Sequence, residues 1–390
     1  MNILFITPRL PYPPLAGDQA VSFNRLRHLS KNHKITLISF YETEKELKGL
    51  AKLSLYCTAI HVVKLAKWRS ILNVLLKVFF SALPMQILYY QSATFQKKIL
   101  EVLNEDSFDL IHSFMLRVAP YVSAEPVPKI LELIDSMQLN LERRIGLESV
   151  PRRWIYKEEL RRVVPYESNI GKYFDRLILV SEKDRTFLKS DNVTVIPLGI
   201  DTDLFKPIEK IHHDPIIIFS GNMFYSPNIH AISWFIEKCF SRIQMEIPDV
   251  SLTIAGGRPS KVVRDLAQQR GIKITGFVDS MPDMINQASV AIAPMLSGSG
   301  MQFKILEAMA CGLPVVTTSL GLGSIKAKPN EEIIIADTEE AFTKAVISLL
   351  TNSDAAKRIG DRGRYFVLKN HSWENAANQV QEIYRRVLHD

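Results

Sequence analysis

A short loop of small residues and two charged residues after it are the features of this sequence best suited to chemistry. Residues 297–300 read Ser-Gly-Ser-Gly, and Lys304 and Glu307 follow within seven positions. The loop lies between a buried strand-like run, VAIAP, and a predicted helix. Because a helix N-terminus presents free N–H groups and a partial positive charge, this arrangement predicts a site for an anion, typically a phosphate.

The helix predicted over residues 301–310 is apolar nearly all round, which indicates that it is buried. At about 100° per residue, Lys304 and Glu307 share one narrow stripe with Gly300 and Cys311. Two interpretations stay open. The charges form a solvated pair, or they face a ligand, with Lys304 near phosphate and Glu307 accepting from sugar hydroxyls. The second is favoured because charges on a buried helix need partners.

The run LEAMACGLPVV (306–316) resembles the nucleotide-sugar motif of the retaining glycosyltransferases of family 4. These are the group 1 glycosyltransferases with the two-domain GT-B fold. Their motif has two Glu residues separated by seven others, the second followed by Ala-Met-Ala-x-Gly-x-Pro-Val. Glu307 takes the second position, for which the resemblance implies contact with the donor ribose. The first position falls on Ser299, so this sequence departs from the family at the usual contact to the transferred sugar.

Strand-like and helix-like segments alternate along the chain, which predicts parallel α/β layers. The strand candidates are NILFIT, ITLISF, AIHVVKL, FDLIHSF, PKILELI, RLILVS and VTVIPL, then PIIIFSG, VSLTIAGG, IKITGFV, ASVAIAPM, PVVTTS and EEIIIA. Between the two sets lies an aperiodic stretch that reads as a linker, whose start PLGIDTDLFKP also resembles the family. A long helix around residues 152–174 is predicted with a kink or break at Pro165.

We therefore expect two Rossmann-like doubly wound domains. The first covers residues 1–200, the linker 201–215, and the second, nucleotide-sugar-binding domain 216–370. The resemblance implies that the domains face each other across a cleft, the GT-B architecture. It also implies that a helix over residues 371–390 packs back on the first domain.

Turns after other strands supply further candidates for donor binding. Gly221 and Asn222 could offer backbone amides to a diphosphate where the family has an Arg and a Lys, and Arg258, Arg9 or Lys304 could supply the missing charge. The resemblance assigns contact with the nucleobase to the main chain at Val278. Each of these is also readable as an ordinary strand-to-loop turn. The predicted donor-binding residues are Gly17, Gly221, Asn222, Arg258, Val278, Ser299, Gly300, Met301, Lys304 and Glu307.

The first half offers candidates of lower specificity. His112 ends the strand FDLIH, and the resemblance implies contact with the transferred sugar, so it joins Lys304 and Glu307 as a predicted catalytic residue; a half-buried structural histidine is the alternative. Asp135, after PKILELI, is predicted on the acceptor side. Gly17 could let a helix N-terminus approach phosphate, and Asp18 is interpreted as its N-cap.

The positive charge is concentrated in the first half, where residues 1–200 hold 28 Lys and Arg against 20 Asp and Glu. Residues 51–100 hold seven basic residues and no acidic one, together with a long apolar run broken by Lys77 and Pro84. The breaks argue against a spanning helix. Two interpretations remain: an amphipathic surface helix that docks on an anionic membrane, or a core helix with exposed lysines.

The remaining features exclude several classes of protein. The three cysteines fit neither a metal site nor a disulfide framework, and the start of the chain lacks the pattern of a signal peptide. We expect a cytoplasmic protein, or one peripheral on the inner face of the membrane. Asp201 and Asp203 are interpreted as turn residues, so we expect no metal, and also no cofactor and no nucleic acid.

Together these patterns predict a retaining, metal-independent glycosyltransferase. It would move a sugar from a UDP- or GDP-sugar to a glycan or lipid-linked acceptor, in cell-surface polysaccharide or glycolipid biosynthesis. A nucleotide-sugar 2-epimerase on the same fold and a nucleotide-binding paralogue without catalysis are the alternatives.

Overall fold

The computed structural model describes residues 1–14, 17–145, 150–208, 214–257, 259–266, 268–297 and 301–389. Contacts divide the chain into two units, Met1–Leu198 with Ala376–Asp390, and Gly199–Asn375. Each unit is built on one sheet with helices between its strands, which confirms the prediction of two Rossmann-like domains.

The first unit contains a seven-stranded parallel sheet in the order β3-β2-β1-β4-β5-β6-β7. Every strand predicted in this half is present. In β1, β2, β4, β5 and β6 the apolar residues are mostly buried because helices cover both faces of such a sheet, whereas the edge strands β3 and β7 are largely half-buried. The strands are β1 (Asn2–Thr7), β2 (Lys34–Tyr41), β3 (Ala59–Lys64), β4 (Leu110–Phe114), β5 (Lys129–Glu132), β6 (Arg176–Leu179) and β7 (Val193–Val195).

The helices of the first unit are α1 (Gly17–Leu29), α2 (Leu50–Leu53), α3 (Lys67–Lys77), α4 (Met85–Tyr89), α5 (Ala93–Glu105), α6 (Met137–Ile145), α7 (Val150–Asn169) and α8 (Glu182–Arg185). Short 3₁₀ turns span Glu46–Gly49, Leu116–Tyr121 and Ile170–Tyr173. Of the kink or break predicted at Pro165, the break does not occur, because α7 continues through this residue. In the last turn of α7, the Ser168 hydroxyl donates a hydrogen bond to the Val164 carbonyl at 2.7 Å.

The second unit contains a six-stranded parallel sheet in the order β10-β9-β8-β11-β12-β13. Its strands are β8 (Ile216–Ser220), β9 (Ser251–Ala255), β10 (Ile272–Gly276), β11 (Val290–Ala293), β12 (Val315–Thr317) and β13 (Ile334–Ile335). Strand order reverses between β8 and β11. In open α/β sheets, ligands bind outside the carboxyl ends of the strands at such a reversal.

The helices of the second unit are α9 (Ser226–Phe235), α10 (Ser241–Glu246), α11 (Lys261–Leu266), α12 (Met281–Asn286), α13 (Phe303–Ala310), α14 (Ser319–Leu322), α15 (Glu339–Thr351) and α16 (Ser353–Asn370). A π-helical turn, Ile236–Phe240, joins α9 to α10. The last helix, α17 (Trp373–His389), begins in the second unit, and its residues from Ala376 onward belong to the first.

The first half of the stretch 201–215, which we expected to be a linker, is part of the second unit. The second unit begins at Gly199, and the Ile200 amide donates to the His371 carbonyl at 2.6 Å. The Ile208 amide donates to the Asn286 side chain at 3.3 Å. Residues 201–208 therefore belong to the second unit, although most of their side chains are exposed, and residues 209–213 lie outside the described part of the chain.

Helix α3 is not a core helix, so that interpretation of the basic segment is wrong. Of its residues only Ser70 is buried, whereas Trp68 and Leu75 are 64% and 61% exposed. Within the described ranges, every helix is too short or too polar to cross a bilayer.

Candidate active site

Two glycines bring the ends of β8 and β9 into direct backbone contact. Gly221 follows β8 with φ +145°, and its amide donates to the Ala255 carbonyl at 2.9 Å. Gly256 follows β9 with φ +150°, and a Cβ there would lie 1.7 Å from the Gly221 carbonyl oxygen. A Cβ at Gly221 would lie 2.8 Å from Asn228 Nδ2, and both positions have a positive φ that side-chain-bearing residues rarely adopt, so glycine is favoured at each. The edge of the sheet consequently presents main chain without side chains at this point.

Helix α9 contributes Asn228, which the sequence analysis did not place among the donor-binding residues. Its buried side chain donates from Nδ2 to the Asn222 carbonyl at 3.0 Å, and its Oδ1 accepts from Lys304 Nζ at 2.5 Å. Asn222 itself is exposed, and its Oδ1 accepts from the Phe224 amide at 3.0 Å. Asn228 thus links the turn after β8 to the cation of α13.

Helix α13 begins at Phe303, two residues later than predicted, and Phe303 is exposed. The expectation that the helix is buried on nearly all sides is therefore wrong for its first turn. Lys304 and Glu307 lie one turn apart on one face. Lys304 Nζ is 4.6 Å from the centre of the Phe219 ring in β8 and 3.6 Å from Met295 Sδ after β11. The ammonium group therefore lies where the strand order reverses.

The two charged groups have displaced pKa values. Burial lowers the pKa of Lys304 to about 8, although the nearby Glu307 carboxylate opposes the shift. Burial raises the pKa of Glu307 to about 7, and the ammonium of Lys304 opposes that shift. A diphosphate beside Lys304 would supply the negative charge that its buried ammonium needs. The arrangement suits binding of an anion attached to a group with hydroxyls.

Thr317, the last residue of β12, and Thr318 after it hold the segment that leads from β11 towards the small-residue loop. Thr317 Oγ1 donates to the Ala293 carbonyl at 2.8 Å, and Thr318 Oγ1 donates to the Met295 carbonyl at 2.7 Å. Thr318 Oγ1 also accepts the Gly321 amide in the first turn of α14. The sequence analysis missed these residues. Polar side chains at the end of the buried strand PVVTT are the signal that could have indicated them.

For the other predicted donor-binding residues of the second unit, a role in donor binding stays a prediction. Arg258, Ser299 and Gly300 lie outside the described residues. Met301 is half-buried against the core of the second unit. Val278 is half-buried after β10, next to Phe277, whose ring is 84% exposed.

Gly17 begins α1 in the first unit, and a Cβ there would meet no atom within 4 Å. Asp18 lies inside the first turn rather than at the N-cap, and its carboxylate pairs with Arg9 Nε at 3.1 Å. Asp135 is exposed after β5 and lines a cavity of about 310 Å³ in the first unit.

His112 does not end a strand, because β4 continues to Phe114. Its imidazole is fully buried, with Nδ1 2.6 Å from the Tyr384 hydroxyl and Nε2 3.2 Å from Glu132 Oε2. Glu132 also forms a buried ion pair with Arg25 at 2.9 Å. This environment is that of an internal structural histidine, the alternative that the sequence left open.

Asp201 serves as a turn residue, since its Oδ1 accepts the amides of Asp203 and Leu204 at 3.2 and 3.1 Å. In the described part of the chain, His, Cys, Asp and Glu side chains form no group of three that could hold a metal ion.

The sequence of the second unit matches a known family. The family model described as "Glycosyl transferases group 1" matches residues 214–352, the segment that contains β8 to β13 and the Lys304–Glu307 face. The second unit is a group 1 glycosyltransferase domain.

Relatives extend the similarity to the rest of the chain. An uncharacterized 44.6 kDa protein in the cps region of Klebsiella pneumoniae is 24% identical over 97% of this chain and 98% of its own length. The MMP α-(1→4)-mannosyltransferase of Mycolicibacterium hassiacum is 25% identical over 66% of each chain. Anabaena Alr3699/HepE, solved in complex with UDP, has a TM-score of 0.67 at 13% identity, over 99% of this chain and 100% of that one. The last similarity shows that both units share its fold.

Proposed function

We propose that this glycosyltransferase moves a sugar from a nucleotide diphosphate sugar to an acceptor hydroxyl. The observation that carries the proposal is the half-buried Lys304–Glu307 face at the reversal point of the second sheet. Membership of the second unit in the group 1 family and the UDP bound to Alr3699/HepE support it.

In the proposed reaction, the acceptor hydroxyl attacks the anomeric carbon while the bond to the diphosphate breaks. Lys304 and the backbone amides near Gly221 would stabilise the negative charge that develops on the departing diphosphate. Asn228 would hold the Lys304 ammonium in place through its Oδ1. Glu307 would accept hydrogen bonds from the donor ribose. The proton of the acceptor would leave with the departing phosphate, so the protein need not supply a nucleophile.

We propose further that the reaction retains the anomeric configuration and needs no metal. The resemblance around Glu307 supports retention, and the α-(1→4) linkage in the name of the Mycolicibacterium relative is compatible with it. Metal independence is proposed because Lys304 can provide the positive charge that a divalent cation would otherwise bring to the diphosphate. Ser299, where the family has Glu, need not prevent such a reaction.

The acceptor is proposed to be a glycan or a lipid-linked glycan of the cell surface. The relative that matches nearly the whole chain comes from a cps region, which supports a role in polysaccharide synthesis. Asp135 and Gly17 are proposed to face the acceptor and the donor phosphate respectively, since both lie at the carboxyl edge of the first sheet.

Thermal unfolding with UDP, GDP, ADP and dTDP tests the donor site. Saturation at about 100 times the dissociation constant adds roughly 2.7 kcal/mol, enough to raise the midpoint by a few degrees. We expect one nucleotide to stabilise the wild type and the control Glu331→Ala, whose side chain is exposed, but not Glu307→Ala. Absence of any shift in folded wild-type protein would overturn the proposal.

Product analysis then separates transfer from the alternatives. An epimerase would convert the sugar of the donor without any acceptor. A binding-only paralogue would retain nucleotide affinity with neither transfer nor hydrolysis. Either result would contradict the proposed reaction, whereas transfer that requires an added acceptor would support it.

A further inference from the structure

Helix α3 in the first unit presents its apolar side to solvent. Its large apolar side chains recur at spacings of three and four residues, so they form one stripe along the helix. This apolar stripe comprises Trp68, Ile71, Leu72, Leu75, Leu76 and Phe79, each at least 45% exposed. The next residue, Phe80, is 92% exposed. A helix on a soluble domain normally has the reverse orientation.

Hydrogen bonds hold the opposite, polar side of α3 against the protein. Asn73 Nδ2 donates to the Gln91 carbonyl at 2.9 Å, and Lys77 Nζ donates to the Gln91 side chain at 2.8 Å. At the end of the helix, the buried guanidinium of Arg162 donates to the carbonyls of Val78 and Ser81, both at 2.6 Å. The outward direction of the apolar stripe is thus fixed by specific contacts.

The charge around α3 identifies what could cover the stripe. Residues 51–100 contain seven basic residues and no acidic one, although Lys64 and Lys67 pair with Glu44 and Glu42 of the preceding segment. A second copy of this face would bring like charges together, which is unfavourable. An anionic lipid surface offers both apolar and negatively charged groups. The helix has 11 residues, about 17 Å, so it can lie in a bilayer interface but not cross it.

A basic cavity lies beside the stripe. It has a volume of about 870 Å³, and Trp68 and Leu72 of the stripe contribute to its lining. Four cationic side chains line it, namely Lys64, Arg69, Lys77 and Arg117, and its lining residues, all of them described, include no carboxylate. Lys64 pairs with the Glu44 carboxylate outside the lining at 2.7 Å. Such a lining suits a phosphate group.

We propose that the apolar stripe and Phe80 lie in the interface of an anionic bilayer, and that the adjacent cavity takes the phosphate headgroup of an anionic lipid. The proposal does not depend on the reaction, because neither α3 nor the cavity belongs to the donor site. It can be tested without nucleotide or acceptor.

The test of the stripe uses the full chain and sedimentation with phosphatidylcholine vesicles, with or without phosphatidylglycerol. Wild-type protein should bind only the vesicles with phosphatidylglycerol, and less as salt rises. Phe79→Ser with Phe80→Ser should weaken binding at least about tenfold. The matched control is Leu55→Ser with Met245→Ser, two side chains that are 67% and 76% exposed outside the stripe. Equal binding of both double variants would overturn the proposal.

The test of the cavity compares two variants with the same loss of charge. Arg69→Gln with Arg117→Gln changes two lining residues, whereas Lys97→Gln with Lys98→Gln changes two residues outside the lining. The first should weaken binding to phosphatidylglycerol vesicles several-fold more than the second, and equal losses would contradict the headgroup site. Soluble dihexanoyl-phosphatidylglycerol should compete with the vesicles; competition by inorganic phosphate alone at the same concentration would instead indicate a free-phosphate site.

Light scattering without lipid tests whether a second copy of the chain, rather than a membrane, covers the apolar stripe. The proposal would be overturned if the wild type formed a dimer and bound no vesicles, and if Phe79→Ser with Phe80→Ser dissociated that dimer. This result would mean that a second copy of the chain covers the stripe. An unchanged circular dichroism spectrum and an unchanged unfolding midpoint in each variant would show that the protein is folded. Absence of vesicle binding by the wild-type protein would therefore contradict the proposed membrane surface, and it would leave the proposed reaction untouched.

Discussion

At the scale of single residues, the proposed donor site depends on Lys304 and Glu307. Both lie half-buried on α13, where each loses part of the hydration that its charge needs. The pKa of Lys304 falls to about 8 and that of Glu307 rises to about 7. Near pH 7.5 the ammonium is therefore mostly charged and the carboxyl mostly ionised, and small changes in pH alter both.

Affinity for the nucleotide diphosphate should consequently be greatest between about pH 7 and pH 8. Above pH 8 the free protein loses the Lys304 proton, which the bound diphosphate requires, so affinity should fall by up to about tenfold per pH unit. Below pH 7, Glu307 gains a proton and accepts the ribose hydroxyls less well. Calorimetric titration from pH 6 to 9 measures both limbs.

Two variants test which residue causes the decline in affinity on each side of this pH range. Glu307→Gln should remove the decline on the acidic side, and Lys304→Gln should remove the decline on the alkaline side while weakening binding throughout. An affinity of the wild type that stays constant from pH 6 to 9 would contradict both assignments.

At the scale of elements, two glutamates of α7 accept hydrogen bonds from backbone amides at the N-termini of α4 and α6. Glu159 accepts the first amides of α4, from Met85 at 2.6 Å and Gln86 at 3.0 Å, so it completes the N-terminus of that helix. Glu167 does the same for the Met137 amide in α6 at 2.8 Å. Burial raises the pKa of both carboxyl groups, and the amide hydrogen bonds oppose the shift. Their role is structural, although buried acids can resemble catalytic ones.

Arg162→Met should loosen the turn between α3 and α4. The variant loses charged hydrogen bonds to the carbonyls of Val78, Ser81 and Leu83, which should cost about 2 kcal/mol locally. Hydrogen exchange of the amides in residues 78–86 measures the effect and should become faster. Arg161→Met is the control, because the neighbouring Arg161 side chain is 70% exposed and pairs with Glu158 on its own helix. The same increase in both variants would argue against a specific role of Arg162.

At the scale of the whole molecule, a buried cluster joins the last helix to the first sheet. Glu132 lies between Arg25 and His112, and the Tyr384 hydroxyl of α17 reaches His112. Burial alone would raise the pKa of Glu132, but the charge of Arg25 and the hydrogen bond from His112 lower it to about 2. Burial also lowers the pKa of His112, although the Glu132 carboxylate opposes the shift. The C-terminal residues therefore complete the interior of the first unit.

Tyr384→Phe should destabilise the first unit by about 2 kcal/mol, because His112 Nδ1 loses its partner in a fully buried position. Urea unfolding followed by fluorescence measures the change. Tyr365→Phe, at a side chain that is 66% exposed, should have little effect. Nucleotide affinity should stay within about twofold of the wild type in both, since the cluster lies in the first unit. An unchanged unfolding midpoint for Tyr384→Phe would contradict the role of the hydroxyl.

The strands and the Lys304–Glu307 face were predictable because each depends on local spacing. Runs such as NILFIT identify buried parallel strands, and a separation of three residues places two side chains on one helix face. The surroundings of His112 were not predictable, since Tyr384 lies 272 positions away. The direction of α3 was not predictable either, because apolar residues at helical spacing look the same whether they face a core or solvent.

The place of Tyr384 in the cluster also bears on the order in which the chain is made. During synthesis, residues 1–198 emerge from the ribosome long before residues 376–390. The first unit therefore emerges without the segment that completes it. The second unit, Gly199–Asn375, is synthesised entirely in the interval. During translation, Arg25, Glu132 and His112 therefore stay incompletely covered until residues 376–390 have left the ribosome and can pack against the first sheet.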